Sequence, residues 1–265
     1  MVEELPYYIV VLGTAGSGKT TLASALQDYL INNGMDTAIV NLDPAVEVLP
    51  YKPDVDAREY VSARELMRTQ GLGPNGALIA AVDMLALRIE ELKEEVWSLK
   101  SNYIILDTPG QMEVFAFRET GPIIIDTLIG EHKAASLFLI DVVYASRPSN
   151  YFSALLLSAS TQVRIGLPQI NVLTKIDMVP ENIIYEILSY HDDPTILATK
   201  VANDKKASIM WSESEILEIL EKLVSSEIIP VSSTKLLGYN NLYAAIQRVV
   251  AGGEDFYTEE PSEKL

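Results

Sequence analysis

The chain has 265 residues, of which 48% are apolar and 22% charged, so it can build a core and is not a disordered polymer. Its net charge of −17 argues against direct binding to DNA or RNA, and the lack of cysteine excludes disulfides, thiolate metal sites and thiol catalysis. Asp83, Asp126 and Asp141 interrupt the longest apolar runs and the N-terminus has no basic leader, so we expect no membrane span and a cytoplasmic protein.

Short apolar, β-branched runs alternate with helical patterns along the chain. The predicted strands are residues 8–12, 37–42, 103–106, 136–140, 169–173 and 228–231, and the predicted helices are residues 21–30, 77–100, 150–164, 214–225 and 241–250. Strands that are apolar along their whole length are covered on both faces, as in a parallel sheet. The pattern predicts an α/β fold in three layers, with a doubly wound, mainly parallel sheet flanked by helices.

One domain is expected over residues 1–251, because no internal repeat and no linker rich in Gly, Pro or Ser divides the chain. Residues 181–212 interrupt the alternation and are predicted to form a small helical insertion on this domain. Residues 252–265 are acidic and poor in apolar side chains, which predicts a frayed tail.

A complete phosphate-binding loop, GTAGSGKT from Gly13 to Thr20, lies between the first predicted strand and the first predicted helix. In such a loop backbone N–H groups point at phosphate oxygens, Lys19 bridges the outer phosphates, and the Thr20 hydroxyl ligates Mg²⁺. The positive N-terminus of the helix strengthens phosphate binding. The chain is therefore predicted to bind a nucleoside triphosphate, with phosphate contacts from Gly13, Ala15, Gly16, Ser17, Gly18, Lys19, Thr20 and Thr21.

A carboxylate, Asp43, lies at the end of the second predicted strand in the run Asn41-Leu42-Asp43-Pro44-Ala45. Pro44 disfavours helical geometry at the residue before it, which aims Asp43 toward the cleft beyond the strand ends. Two roles fit this carboxylate: an outer-shell ligand of Mg²⁺, or the group that positions or deprotonates the attacking water.

The predicted strand at 103–106 ends in Asp107, and a tight turn, Thr108-Pro109-Gly110-Gln111, follows. Ligands of open α/β sheets bind beyond the carboxyl ends of the strands, so Asp107 is expected beside the phosphate loop. There it can hold Mg²⁺ directly or through a water. The Gly110 N–H is then placed to sense a γ-phosphate, and Gln111 to orient the attacking water.

The run Thr174-Lys175-Ile176-Asp177 resembles the base-reading motif of GTPases. A carboxylate at Asp177 accepts hydrogen bonds from the N1–H and the exocyclic amine of guanine, whereas adenine offers no matching donors there, and the Lys175 stem lies across the base. Thr174 stands where most such motifs have Asn, which removes an amide tether. Ser232 and Ser233 follow the last strand and resemble the loop that completes the guanine pocket through a backbone N–H.

The order and spacing of these elements resemble the GPN-loop GTPases, P-loop NTPases of the SIMIBI class, over essentially the whole folded chain. By composition the segment from residue 71 to 76 is only a turn, but its triplet Gly73-Pro74-Asn75, between the second and third nucleotide elements, is specific to this family. Because the sequence lacks a long eukaryote-type tail, we expect it to resemble an archaeal member of the family.

The resemblance implies a homodimeric switch that hydrolyses GTP to GDP and phosphate with Mg²⁺. Its catalytic residues would be Lys19, Asp43, Asn75 and Gln111, and its metal site would use Thr20, Asp107 and Asp43. The loop Gly73-Pro74-Asn75 would reach into the partner's active site, where other GTPases insert an arginine finger. Eukaryotic members are tied to RNA polymerase assembly, so the resemblance also allows a protein partner in a larger complex.

Two other functions remain open from the residues. One is an assembly or scaffold factor whose nucleotide is structural and scarcely hydrolysed. The other is an ATP-dependent enzyme similar to polynucleotide kinases, although these need a basic nucleic-acid surface that a chain of charge −17 does not favour. Thr14 distinguishes the loop from the deviant phosphate loops of MinD-like ATPases, which carry a lysine at this position and insert it in trans.

Overall fold

The computed structural model describes residues 6–204, 210–224 and 227–250. Its strands are β1 Tyr7–Gly13, β2 Thr37–Asn41, β3 Val55–Asp56, β4 Tyr103–Asp107, β5 Ala134–Asp141, β6 Gln169–Thr174 and β7 Ile228–Pro230. All seven pair in parallel in one sheet, in the order β3-β2-β4-β1-β5-β6-β7. The predicted α/β fold with a parallel sheet is therefore confirmed.

Helices connect the strands and cover both faces of the sheet. They are α1 Lys19–Asn32, α2 Ala57–Tyr60, α3 Ala63–Gln70, α4 Pro74–Leu87, α5 Ile89–Trp97, α6 Met112–Phe115, α7 Thr120–Ile129, α8 Val142–Ala145, α9 Pro148–Ile165, α10 Glu181–Asp192, α11 Pro194–Ala202, α12 Glu213–Leu223 and α13 Tyr239–Val250. A 3₁₀ turn, Ile176–Met178, follows β6.

Two apolar cores result from the alternation of side chains along the central strands. Along β1, Tyr8 and Val10 face the core formed with α4, α5, α7 and α9, whereas Ile9 and Val11 face the core formed with α1 and α13. The side chains of all four residues are fully buried. Burial on both faces explains why these strands have continuous apolar sequences.

The sequence pattern missed several elements. The helix predicted over residues 77–100 is two helices, because the backbone leaves helical geometry at Arg88, with φ −110° and ψ 16°. The Arg88 guanidinium donates to the Tyr60 carbonyl oxygen at 2.7 Å, which fixes the break against α2. Strand β3 has only two residues, too few for a period, and α3 and α7 were not predicted.

Residues 181–202 form α10 and α11, and α11 packs against α9 and α12. The Asp193 side chain accepts a hydrogen bond from the Thr195 N–H, so the Asp-Asp-Pro break starts a new helix. The predicted tail at 252–265 lies outside the described residues. Within the described ranges, none of the helices combines the length and the apolarity needed to cross a bilayer.

The strand register brings the predicted functional segments to one edge of the sheet. Val11 and Asn41 both lie beside Asp107, and Asp141 lies beside Thr174. Because the strands are parallel, their carboxyl ends all open at this edge, where ligands of doubly wound sheets bind.

Candidate nucleotide-binding site

The phosphate loop has a backbone that only glycine accommodates at its first position. Gly13 has φ +148°, and a Cβ there would stand 2.7 Å from Ser17 Oγ and 2.9 Å from the Leu139 carbonyl oxygen. Helix α1 starts at Lys19, within the last residues of the motif. Its N-cap, Gly18, has no side chain to accept a hydrogen bond, and its first turn has no acidic residue. The N-terminus of α1 therefore keeps its positive potential for an anion.

Lys19 is buried within this loop. Its Nζ donates to the carbonyl oxygens of Gly13 at 2.7 Å, Thr14 at 3.0 Å and Gly110 at 3.4 Å. The ammonium thus lies between the phosphate loop and the turn that follows β4. Neutral carbonyls are weaker partners for a cation than phosphate oxygens, so this lysine can exchange them for a phosphate.

Asp107 is 1% exposed at the end of β4. Burial raises the pKa of this carboxyl to about 6, while hydrogen bonds from Tyr51 and Thr20 and the charge of Lys19 oppose the rise. The Tyr51 hydroxyl donates to Asp107 Oδ2 at 2.8 Å, but the buried Oδ1 has no hydrogen-bond partner among the described residues. A buried carboxylate oxygen without a partner is energetically costly unless a cation or water satisfies it.

These residues fit Mg²⁺, which prefers oxygen ligands and often has few protein ligands beside phosphates and waters. Thr20 and Asp107 supply a hydroxyl and a carboxylate close together, and Oδ1 of Asp107 is unsatisfied. Among the described residues no three His, Asp or Glu side chains cluster tightly enough to hold a metal alone. The protein thus offers a partial set of ligands, which nucleotide phosphates would complete.

Asp43 lies against the turn after β4. Its Oδ1 accepts the Ala45 N–H at 2.9 Å, and its Oδ2 lies 3.4 Å from the Gly110 nitrogen, which donates to it. Asn41 accepts the Asp43 N–H at 3.1 Å, which orients this segment. The Gly110 N–H, which the sequence predicts to contact a γ-phosphate, therefore donates to the Asp43 carboxylate in this structure.

The Gly-Pro-Asn loop lies on the surface at the start of α4. Gly73 is the N-cap in extended geometry, and Pro74 occupies the first helical position, which its fixed φ favours. Asn75 Oδ1 accepts a hydrogen bond of 3.2 Å from Gln111 Nε2 of the same chain. The loop is thus within reach of the Asp43 and Gly110 cluster without a second subunit.

Asp177 lies at the opposite end of the phosphate loop, and hydroxyl groups orient its carboxylate. Ser232 Oγ donates to Oδ1 at 2.6 Å and Thr234 Oγ1 to Oδ2 at 3.1 Å, and these bonds hold the pKa of Asp177 below its ordinary value. A cavity of about 220 Å³ opens beside it, with walls from Gly18, Thr21, Thr174, Lys175, Asp177, Met178, Ser233 and Thr234. The cavity therefore places the hydrogen-bond acceptors of Asp177 beside the end of the phosphate loop.

Ser232 and Ser233 have different positions in this pocket. Ser232 is fully buried, and its N–H donates to the Leu237 carbonyl oxygen at 3.1 Å, so that N–H is not directed at a ligand. Ser233 lines the cavity, and its hydroxyl accepts a hydrogen bond from Tyr239 at 2.9 Å. The sequence treated the two serines alike, but Ser232 supports Asp177 and Ser233 borders the cavity.

Thr174 replaces the missing asparagine tether with its hydroxyl. Its Oγ1 donates to the Ser17 carbonyl oxygen at 2.8 Å and lies 3.3 Å from that of Ile140. The side chain is 2% exposed, so its polar group is directed at the loop backbone. The amide tether is absent, but the Thr174 hydroxyl supplies another link between β6 and the phosphate loop.

The sequence missed three polar residues of the site: Tyr51, Arg58 and Asp141. Arg58 pairs with Asp56 at 2.6 Å and donates to the Val46 carbonyl oxygen, which fixes the segment after Asp43. No motif marks Tyr51 or Arg58, because both reach the site through folding of that loop. Asp141 could have been recognised from the sequence, because it directly follows a predicted apolar strand, as Asp107 does.

Comparison with known proteins identifies the family. Residues 11–252 match a family model described as a conserved hypothetical ATP binding protein. The GPN-loop GTPase PAB0955 of Pyrococcus abyssi is 31% identical over 236 residues, which cover 88% of this chain and 93% of that protein. Its apo crystal structure has a TM-score of 0.80 and 29% identity, and the match covers 92% of this chain and 97% of that one.

Eukaryotic relatives extend this match. GPN-loop GTPase 3 of Mycosarcoma maydis is 28% identical over 269 residues, with 97% of this chain and 96% of that protein covered. GPN-loop GTPase 1 of Dictyostelium discoideum is 35% identical over 71% of this chain, which spans only 48% of that protein. The resemblance drawn from the motifs is confirmed, and the chain belongs to the GPN-loop GTPase family.

Proposed function

We propose that this protein binds GTP and hydrolyses it to GDP and phosphate with Mg²⁺, as a nucleotide-dependent switch that works as a homodimer. The observation that carries the proposal is the Asp177 pocket. An ionised carboxylate, oriented by Ser232 and Thr234, borders a cavity that continues into the phosphate loop. The two carboxylate oxygens match the two adjacent donors of guanine and do not match the edge of adenine. This pairing favours GTP, although the matching family model is described as an ATP binding protein.

The phosphate end of the site supplies the charges that the triphosphate needs. Lys19 and the N-terminus of α1 would bind the outer phosphates, with Thr20 and Asp107 as ligands of Mg²⁺. When bound, the metal ion supplies positive charge to the β- and γ-phosphates. Satisfying the unpartnered Oδ1 of Asp107 would then favour the metal-bound nucleotide over the free protein.

Hydrolysis needs a water held in line with the γ-phosphorus. Asp43, Gly110 and Gln111 lie together at the turn after β4, where that water would stand. The water attacks phosphorus, the bond to the β–γ bridging oxygen breaks, and GDP leaves with that electron pair. Asp43 positions the water or accepts its proton, and Gln111 orients it.

An exposed apolar surface on and beside α4 supports a homodimer. Helix α4 is apolar nearly all round, and a helix of this kind is normally covered on every side. Met84 and Leu87 are instead exposed on it, and the neighbouring Phe117 and Ile123 are exposed as well. The same helix begins at Pro74 and has Asn75 in its first turn, so a partner that covers α4 would bring the two Gly-Pro-Asn loops near the active sites.

Steady-state phosphate release and mant-GTP binding, with Mg²⁺ in excess, test the function. We expect turnover of GTP, weak competition by ATP, and loss of nucleotide binding in Lys19→Ala. Tight GTP binding without turnover would favour the scaffold alternative, and equal competition by ATP would favour the kinase-like one. A role in assembling a larger complex such as RNA polymerase, in the cytoplasm, remains an expectation from the family resemblance.

A further inference from the structure

Asp141, at the carboxyl end of β5, uses its two carboxylate oxygens for two different tasks. Oδ1 accepts hydrogen bonds from the N–H groups of Val143 at 2.7 Å and Tyr144 at 3.4 Å, which caps α8. Oδ2 lies 2.7 Å from Nζ of Lys175, the lysine of the base-reading motif. Capping α8 needs only the first oxygen, so the second is available to act on the nucleotide site.

Lys175 has a strained backbone, and its side chain is held by contacts with the phosphate loop and Asp141. Its φ of 60° and ψ of 33° are left-handed, a geometry that is strained for a non-glycine residue. Its Nζ also donates to the Gly16 carbonyl oxygen at 2.5 Å, and its Cε lies 3.8 Å from the place of a Cβ on Gly18. The side chain therefore runs along the phosphate loop toward the Asp141 carboxylate.

We propose that Asp141 is a positioning residue for the nucleotide base. Its charge fixes the Lys175 ammonium over the phosphate loop, so that the aliphatic stem forms one wall of the base cavity. The carboxylate also stabilises the left-handed turn that carries the chain from Lys175 to Asp177. This inference rests on the proposed binding of GTP, because it concerns the same cavity.

The pair is suited to this role by its partial exposure. The Asp141 side chain is 22% exposed and the Lys175 side chain 34%, so a base stacked on the stem would cover the pair further and strengthen the attraction. The lysine stem packs against the face of a planar base, so this contact stabilises any bound base regardless of the hydrogen-bonding groups on the edge of that base. Asp141 is thus expected to contribute affinity for nucleotides, while Asp177 contributes the choice of guanine.

Asp141→Asn tests the proposal, because the amide oxygen still caps α8 but the charge that attracts Lys175 is lost. We expect mant-GDP to dissociate about tenfold faster and the KM for GTP to rise similarly, with a smaller effect on kcat. The ratio of GTP to ITP affinity should stay at the parent value, since ITP lacks only the exocyclic amine that Asp177 reads. Asp126→Asn, an exposed carboxylate on α7, is the matched control.

A double-mutant cycle separates positioning from general weakening of the fold. If Asp141 acts through Lys175, then Asp141→Asn should change dissociation little in a Lys175→Gln background. Full additivity of the two effects, or an Asp141→Asn dissociation rate equal to that of Asp126→Asn, would overturn the proposal. Asp141→Ser, whose hydroxyl can also cap α8, repeats the test if the asparagine variant does not fold.

These outcomes are distinct from failure of the proposed function. A parent protein that binds ATP as tightly as GTP would refute guanine recognition and leave the role of Asp141 as a lysine-positioning residue measurable with ADP. A guanine-selective parent with an unchanged Asp141→Asn variant would refute only the positioning role.

Discussion

Gln111 Nε2 donates a hydrogen bond of 3.2 Å to Asn75 Oδ1, and this bond links the Gly-Pro-Asn loop to the turn after β4 within one chain. Asn75 is exposed and Gln111 partly buried, so the bond lies at the rim of the site. The asparagine that the family resemblance assigns to a partner's site thus contacts the glutamine that would orient water in its own.

Asn75→Ala should leave GTP affinity near the parent value and lower kcat on the order of 100-fold, the loss typical when one polar stabiliser of a transition state is removed. The affinity should persist because Asn75 is not among the residues that line the Asp177 cavity. Mant-GTP titration and single-turnover phosphate release measure the two quantities. Equal turnover in variant and parent would make the Gly73-Pro74-Asn75 segment an ordinary turn.

Mixing two inactive variants distinguishes action within a chain from action across a dimer. We expect Asn75→Ala, which is strongly impaired alone, and Lys19→Ala, which binds no nucleotide, to recover activity when mixed, because the heterodimer contains one GTP-binding site facing an intact partner loop. If the bond between Asn75 and Gln111 is the catalytic arrangement, the mixture stays inactive. A mixture of Lys19→Ala with the parent controls for subunit exchange.

The motifs were predictable where one residue type is required by local geometry. Gly13 must be glycine because a Cβ would collide with Ser17 and Leu139, and Asp107 is recognisable because it ends a buried apolar strand. Tyr51 and Arg58 were not predictable, since they lie on a loop whose path depends on contacts distant in sequence, such as the hydrogen bond from Tyr51 to Asp107. The same dependence hid β3, which pairs with β2 over two residues.

Asp177→Asn should weaken GTP binding about 10- to 100-fold, because it replaces a charged double acceptor with a group that has one acceptor and one donor. XTP, which carries an oxygen where guanine has its amine, should bind the variant better than it binds the parent. Competition of GTP, XTP and ATP against mant-GDP measures this change. Asp28→Asn, an exposed carboxylate on α1, should retain the parent order of affinities.

Thr174→Val should lower the free energy of unfolding by about 1–3 kcal/mol, because it leaves the Ser17 carbonyl oxygen without the hydroxyl that bonds it. The substitution keeps the shape of the buried side chain, so the loss reports the hydrogen bond. Thr174→Ser keeps the hydroxyl and should retain most of the phosphate-loop tether and the nucleotide affinity. Urea unfolding of the three proteins without nucleotide measures the difference, and equal stability of the valine variant would argue against the tether.

Asp107→Asn should stabilise the nucleotide-free protein at neutral pH and abolish its Mg²⁺-dependent nucleotide binding. Burial raises the pKa of Asp107 to about 6, above the value of about 4 in an unfolded chain. Ionisation therefore costs folding free energy, and the stability of the parent falls as pH rises between these two values. The variant cannot ionise, so it should gain roughly 3 kcal/mol over the parent above about pH 6.5 and little at about pH 4.

Urea unfolding in EDTA at the two pH values measures this gain. Tyr51→Phe is the matched control, because it removes the hydrogen bond that favours ionised Asp107 and should therefore increase the pH-dependent loss of stability. A pH-independent difference between Asp107→Asn and the parent would contradict the raised pKa.

Leu87→Glu should dissociate the proposed homodimer, because it places a charge in the apolar face of α4 that the partner would cover. Leu87 is 86% exposed, so the substitution disturbs few contacts within the subunit and should leave its unfolding free energy nearly unchanged. Val163→Glu on α9 is the matched control, since Val163 is 83% exposed and lies on another helix. Sedimentation velocity over a concentration series should show a monomer only for Leu87→Glu, with GTP hydrolysis reduced in parallel if Asn75 acts across the dimer. A monomeric parent protein, with or without GTP, would refute the homodimer.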